Sequence, residues 1–265
     1  MQVNMKSITV IRVICAVFFV IGSVAVAAQD PQRPDRVFVN DLEGVWMNDA
    51  YVKQLRKLRM PHLAAKKAKP VVIAIKREGN VYPYLVTDFT EAALMVVLAL
   101  EPDIKPDSYR LVLGKKNVPT SASDATYVWF KGKRDHDHKF RELEFKEPFL
   151  MKNKWADFEH VGMQLGPVMN SIVLSGKYKD DKGRDWSFSD DGQAVFPDKT
   201  FYFEVSINDK KARCEYLEAE DLAAPDGKSY YGYAWKGGKL QLFNAELKKN
   251  GVRCNSKPFA ELTPQ

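Results

Sequence analysis

From Ile172 to Leu242 apolar and polar residues alternate in short runs, and each run stops at a turn rich in Asp, Asn or Gly. That rhythm points to a meander of antiparallel strands. Ile172, Leu174 and Tyr178 fall on one face, with Val173, Ser175 and Lys177 on the other, up to Asp180-Asp181-Lys182-Gly183. Trp186 and Phe188 alternate with Ser187 and Ser189 as far as Asp190-Asp191-Gly192. Phe201, Phe203, Val205 and Ile207 then oppose Tyr202, Glu204 and Ser206. Tyr231, Tyr233 and Trp235 run into Lys236-Gly237-Gly238-Lys239, and Leu240 and Leu242 continue beyond. A Gly-Gly pair between two such runs marks a hairpin, because both turn positions accept positive φ. Short strands joined this way close into a barrel or fold into a sandwich.

The amino-terminal half has the same rhythm, less regularly. Val71 to Lys76 and Val81 to Phe89 read as strands, with Pro83 placing the second at an edge or bulge because it cannot donate to a ladder. Ala93 to Leu100 is apolar on all sides and is read as a strand from its length and its two valines. Tyr109 to Leu113, Tyr127 to Lys131 and Phe140 to Phe145 add three more. One helix is expected, over Asp49 to Arg59, with Asn48 or Asp49 as cap, Tyr51, Leu55 and Leu58 on one face, and Pro61 as stop. No motif recurs at a fixed period.

Ahead of this β-rich stretch, Lys6 and Arg12 precede the apolar run Val13 to Ile21, which ends in Gly22-Ser23 and small residues. This is the order of a secretory signal peptide. Cleavage is expected after Ala28, with Ala27 as the alternative, giving a signal over 1–28, a polar linker over 29–36 and a single β-rich domain over 37–265. The run is about half the ~20 residues that an anchor helix needs. Cys15 lies inside it, behind Arg12-Val13-Ile14, which argues against an acylated amino terminus. The mature chain is expected in the periplasm or outside the cell.

Removing the signal leaves roughly 237 residues, enough for one large domain or two small ones. Net charge falls from +6 to about +4, which is not the charge of a nucleic-acid binder. Two cysteines remain, Cys214 and Cys254. With no C-x-x-C pattern and no histidine nearby, they are expected to form a structural disulfide that closes a loop of about forty residues, worth up to ~4 kcal/mol.

Gly44-Val45-Trp46, preceded by Phe38 to Glu43, has the G-x-W pattern that opens the first strand of lipocalins, and Leu85-Val86-Thr87-Asp88-Phe89 is similar to that family's second motif, an apolar strand ending in Thr-Asp-aromatic. The chain thus resembles the lipocalin-like, calycin-type secreted barrels at these segments and in its strand rhythm. The resemblance implies that Gly44 lets the chain turn into the barrel and that Trp46 plugs the closed end, stacking on a cation from Arg253 or Arg213. Two departures stand against it. The second motif follows Trp46 too closely for lipocalin strand order, and the mature chain is longer than one such barrel needs. The fold expected is mainly β, an antiparallel meander closing into a lipocalin-like barrel, ahead of another barrel or sandwich and of a mixed α+β fold.

Few residues suggest chemistry. His136 and His138 would point the same way from a strand, but a metal needs three or four ligands, and Lys131, Lys133, Arg134 and Lys139 would repel a cation; a solvated hairpin tip is the better reading. The basic segment 53–69, with Lys53, Arg56, Lys57, Arg59, Lys66, Lys67 and Lys69, suits either contact with an anionic membrane surface or a solvated helix face. No nucleophile elbow, phosphate loop or zinc-protease motif is present, so no catalytic residue and no cofactor is assigned. The aromatic residues carry the functional expectation. Tyr84, Trp129, Trp186, Phe203, Tyr231, Tyr233 and Trp235 lie on alternating strands and could line an interior for a small apolar or amphipathic ligand, or simply form the core. A non-catalytic carrier of a small lipophilic molecule is therefore expected, ahead of an extracytoplasmic interaction or inhibitor module and of an enzyme on a barrel scaffold.

Overall fold

The computed structural model describes residues 37–88, 92–103, 105, 107–115, 125–132, 134–135, 139–207, 214–221, 227–249 and 251–265. The signal segment 1–28, the linker 29–36, Phe89, the pair His136 and His138, and Arg213 lie outside the described residues. The fold is mainly β and antiparallel. Contacts cluster in two compact units, one of residues up to 49 with 70–163, the other of 50–69 with 164–265. The sequence alone suggests one β-rich stretch from 37 onward.

The first unit is a closed eight-stranded barrel. Its strands are β1 (Gly44–Asn48), β2 (Val72–Ile75), β3 (Tyr82–Thr87), β4 (Ala92–Pro102), β5 (Ser108–Gly114), β6 (Thr126–Lys131), β7 (Glu142–Glu147) and β8 (Lys154–Gly162). Each pairs with the next in sequence, and β1 closes on β8, with Trp46 opposite His160. Alternation sends Ile73, Tyr84, Val86, Leu111, Val128, Phe130, Phe145 and Phe158 into one buried cluster with Trp46. Pro83 sits inside this closed barrel and not at an edge. Its carbonyl accepts from the Lys76 amide just past the end of β2, so the bond its nitrogen cannot make falls where that ladder has already stopped.

The second unit is also a meander that closes. β9 (Gly176–Lys179), β10 (Asp185–Phe188), β11 (Gln193–Phe196), β12 (Lys199–Val205), β13 (Glu215–Glu220), β14 (Lys228–Lys236) and β15 (Lys239–Lys248) pair in sequence order. The last strand is interrupted. β16 (Gly251–Cys254) pairs with the second half of β15, while β17 (Ala260–Pro264) pairs with the first half of β15 and with β9, completing the ring. Between them Asn255 and Phe259 donate to Asn244 and Leu242, so the bulge interrupts one strand and leaves the barrel closed. Both units are thus antiparallel barrels of a kind compatible with a lipocalin-like fold.

Three helices belong to the second unit's end. α1 (Asp49–Leu58) confirms the expected helix and buries Tyr51, Val52 and Leu55. It ends at Arg59, which takes a left-handed φ of 53°, and Pro61 then starts the short α2 (Pro61–Ala65). α3 (Leu165–Val173) replaces the strand expected from Ile172. Val168, Met169 and Val173 are buried along this helix, and Leu174, which caps its end, is buried as well. The alternation ending at Tyr178 is real, but it begins only at Gly176.

Candidate functional site

In the first barrel the aromatic rings form an unbroken core. Trp46 meets Phe145 at 6.0 Å, Phe145 meets Phe158 at 5.2 Å, and Phe130 meets Phe145 at 5.9 Å, all of them fully buried. Trp46 Nε1 donates to the Leu42 carbonyl at 2.9 Å, so its one polar atom is satisfied within the turn that leads into β1. Its ring meets the edge of His160 at 5.0 Å. That imidazole is on β8 of the same barrel, while Arg253 is on β16 of the second unit, opposite Glu246. Tyr84 and Glu147 also carry polar groups into this buried region, as do Thr87 and Ser108. The Glu147 carboxylate accepts from the amides of Phe149, Leu150 and Met151, which ties down the turn after β7. The Tyr84 hydroxyl is buried with no hydrogen-bond partner among the described residues, and burial first, then the Glu147 charge, pushes its pKa well up.

The second barrel differs at its two ends. At one end, α1, α2 and α3 pack over the start of β13 and the end of β14. Arg59 Nε donates to the Ile172 carbonyl at 3.2 Å, and Trp235 Nε1 donates to Val173 at 3.1 Å, which satisfies the last carbonyls of α3. The Arg59 guanidinium lies 3.9 Å from the centre of the Trp235 ring. Glu215 accepts three bonds from α2: the His62 amide at 3.1 Å, the Leu63 amide at 2.9 Å and His62 Nδ1 at 2.8 Å. Opposite Glu215 in the ladder stands Tyr233, fully buried, whose hydroxyl has no partner among the described residues. Burial, then Glu215 and Tyr51, raises its pKa well above the ordinary value. Cys214 and Cys254 form the expected disulfide next to this corner, with Cα atoms 6.2 Å apart. It crosses β14 at Gly232, where a Cβ would stand 2.1 Å from Cys254 Sγ.

At the other end the rings come to the surface. Phe196 and Trp186 are buried with their centroids 4.4 Å apart, Phe201 and Tyr231 are half-buried and stacked at 5.5 Å, and Phe259 is 41 % exposed. Lys199 Nζ stands among them, 4.9 Å from the Tyr231 centroid, 5.7 Å from Phe201 and 5.8 Å from Phe196, and it donates to the Tyr231 hydroxyl at 2.5 Å. The carboxylate in the neighbouring turn, Asp180, is already engaged. Burial alone would raise its pKa, but bonds from the Arg184 amide and side chain, from Trp186 and from the Lys182 amide hold it at about 2.

Of the aromatic residues singled out from the sequence, Trp186, Phe203, Tyr231, Tyr233 and Trp235 share the inward face of the second barrel, Tyr84 faces the first, and Trp129 points outward. Its neighbours Val128 and Phe130 are the buried ones, while Lys146 lies 4.9 Å over the Trp129 ring. In the basic segment, Lys53, Arg56, Lys57, Lys66, Lys67 and Lys69 are exposed, whereas Arg59 turns to Trp235. Among the described residues no group of three or more His, Cys, Asp or Glu side chains is placed to hold a metal ion. Sequence reasoning passed over Glu215 and Lys199, and met His62 only as a residue that could complete a metal site. Lys199 carried one faint signal, its place directly after a Pro-Asp turn and before Phe201. Comparison with family models, with curated proteins and with solved structures finds no match to this chain.

Proposed function

We propose that this is an exported, non-catalytic carrier of the lipocalin-like kind, whose second barrel takes a small apolar or amphipathic molecule. The observation that carries the reading is the gradient along that barrel's inward face, from the half-exposed Phe201, Tyr231 and Phe259 to the fully buried Tyr233 with its unpartnered hydroxyl. Apolar walls with a few convergent polar groups are what small-molecule sites are built from. The first barrel suits the role less, since its Trp46, Phe130, Phe145 and Phe158 rings are fully buried against one another. Export is supported by the first 28 residues and is in keeping with a disulfide.

The test is saturable binding of a neutral lipophilic dye such as Nile red, read by dye emission and by quenching of Trp186 and Trp235. Phe201→Asp, which places a charge on a half-exposed ring position, is expected to weaken binding about tenfold or more while near-ultraviolet circular dichroism is retained. Absence of saturable binding by the folded wild-type protein would sink the carrier reading.

A further inference from the structure

Between residues 50 and 69 the chain has seven Lys and Arg and no Asp or Glu. We propose that this helical hairpin is a docking surface for an anionic phospholipid membrane, held through the headgroup phosphates while the barrel it covers stays in water. The inference does not depend on whether the second barrel holds a cargo.

The fold decides which of these cations can meet a partner. α1 turns its apolar side to the barrel, where Tyr51, Val52 and Leu55 are fully buried. Lys53, Arg56 and Lys57, three and four residues apart, are left together on the opposite side and are exposed. Past α2, Lys66, Lys67 and Lys69 are exposed as well, while Arg59 turns to Trp235. Like charges at helical spacing cost stability, so a helix that only covered a barrel would do better with Glu at one of these positions. Trp235 leads to more of the same sign, since the turn that follows it adds exposed Lys236 and Lys239. The acids at this end form no matching stripe. α3 has no charged residue, and Glu215 is buried and bonded to the start of α2. Asp49 opens α1. In the turn after β10, the Asp190 carbonyl meets Asn170 of α3, and the Asp191 carboxylate is bonded to Ser189 and Gln193.

Two features favour a membrane over a soluble polyanion. Five of the six exposed cations of the hairpin are Lys, compact charges that suit a diffuse field, whereas gripping an individual phosphate or sulfate draws on the planar fork of Arg. Between the two cationic groups stand Leu58 and Met60, half-buried, where α1 gives way to α2. Apolar residues flanked by cations match the boundary between headgroups and acyl chains, and a sulfated or phosphorylated polymer offers them nothing. Because the buried side of α1 is already taken by the barrel, the contact stays at headgroup depth and reverses with salt.

Vesicle flotation of the chain from Gln29 onward, which removes the apolar leader as a source of binding, tests the proposal. The wild type should float with vesicles of roughly one-third phosphatidylglycerol in phosphatidylcholine at about 50 mM salt, stay behind with phosphatidylcholine alone, and be released at about 500 mM salt. Each cation near such a surface adds about fivefold to binding, so Lys57→Gln, Lys66→Gln and Lys67→Gln combined should weaken it about a hundredfold. Arg at the same three positions should retain it. Lys139→Gln, Lys152→Gln and Lys154→Gln combined lower the net charge equally at exposed positions of the first unit, and should change binding by no more than about twofold. Failure of the wild type to float with the anionic vesicles, an equal loss in the two triple Gln variants, or retention on immobilised heparin without vesicle binding would overturn the inference. None of these outcomes bears on the carrier reading, which the dye tests separately.

Discussion

Gly44 lies directly against His160 at the seam where β1 closes the first barrel. A Cβ on Gly44 would stand 2.2 Å from the imidazole Nε2 and 2.9 Å from the Gly162 carbonyl, and the residue sits at φ +129°. Gly44→Ala therefore meets both backbone strain and a collision on β8. Gly79, at φ +60° with open space around it, would meet strain alone. The expected cost at Gly44 is about 2–4 kcal/mol, against about 1 kcal/mol at Gly79, read as shifts of the urea midpoint at constant slope. Equal shifts at the two positions would show that the His160 contact is not what excludes a side chain.

The same contact makes the first barrel sensitive to mild acid. His160 has its pKa lowered, first by burial, against which a backbone bond at Glu43 acts, and further by the charges of Arg141 and Lys139. The unfolded chain, near the ordinary value of 6.5, thus takes up the proton more readily than the folded one. Stability from the neutral ring is fully present above pH 6.5 and is lost as pH falls from there through the folded value. His160→Gln should flatten the fall in urea midpoint across that window relative to wild type. A His160 imidazole that titrates above 6.5 by NMR would contradict this sign.

The strand rhythm was legible wherever an apolar face was continuous. β5, β6, β12, β14 and β15 were expected close to where they form, because Val, Ile, Leu and aromatic residues recur there in short runs, and β4, apolar on all sides, was read from its length and its valines. β8 was invisible because, of its nine residues, only Phe158 is fully buried, and the rest read as a charged loop. β13 was missed because Glu215 occupies an inward position where the pattern calls for an apolar residue, and that misfit was itself the signal of a special site. The closing strand escaped because its bulge splits one strand into two runs too short to notice. The second barrel was hinted at only by surplus length. A helical hairpin placed in sequence between β1 and β2 yet counted with residues after 163 is a long-range arrangement that local periodicity does not encode.

Tyr233 offers a test in which removing an atom does not weaken the fold. Its hydroxyl is buried without a partner among the described residues, so Tyr233→Phe gives up no hydrogen bond within the protein and relieves a desolvated polar group. Stability is expected to stay level or rise by up to about 1–3 kcal/mol, whereas an oxygenated ligand that reaches this depth should bind less tightly. With its pKa pushed well up, Tyr233 should also remain protonated in alkali until the barrel opens, seen as a missing share of tyrosinate absorbance that appears only on unfolding. A loss of stability in Tyr233→Phe would mean that the hydroxyl has a partner after all.

Glu215 fastens α2 to the second barrel, and its removal should show as local loosening rather than collapse. The His62 and Leu63 amides are at the start of a five-residue helix, where no carbonyl of that helix is in position to accept from them, and both donate to this one carboxylate. His62 Nδ1 adds a third bond at 2.8 Å, so three donors converge on a side chain that is 7 % exposed. Glu215→Gln keeps the shape but replaces one acceptor oxygen with an amide nitrogen and removes the charge, so at least one of the three donors is left facing a donor. Bonds to a charged acceptor are worth about 1.5–3 kcal/mol each, so hydrogen exchange of the His62 and Leu63 amides should accelerate about tenfold to a hundredfold. Amides of Val128 and Phe130, buried in the other unit, should keep their protection, which separates local release of 50–69 from a general loss of stability. Unchanged exchange at His62 and Leu63 in the variant would show that the hairpin is held by the burial of Tyr51, Val52 and Leu55 and by Arg59, without need of the carboxylate.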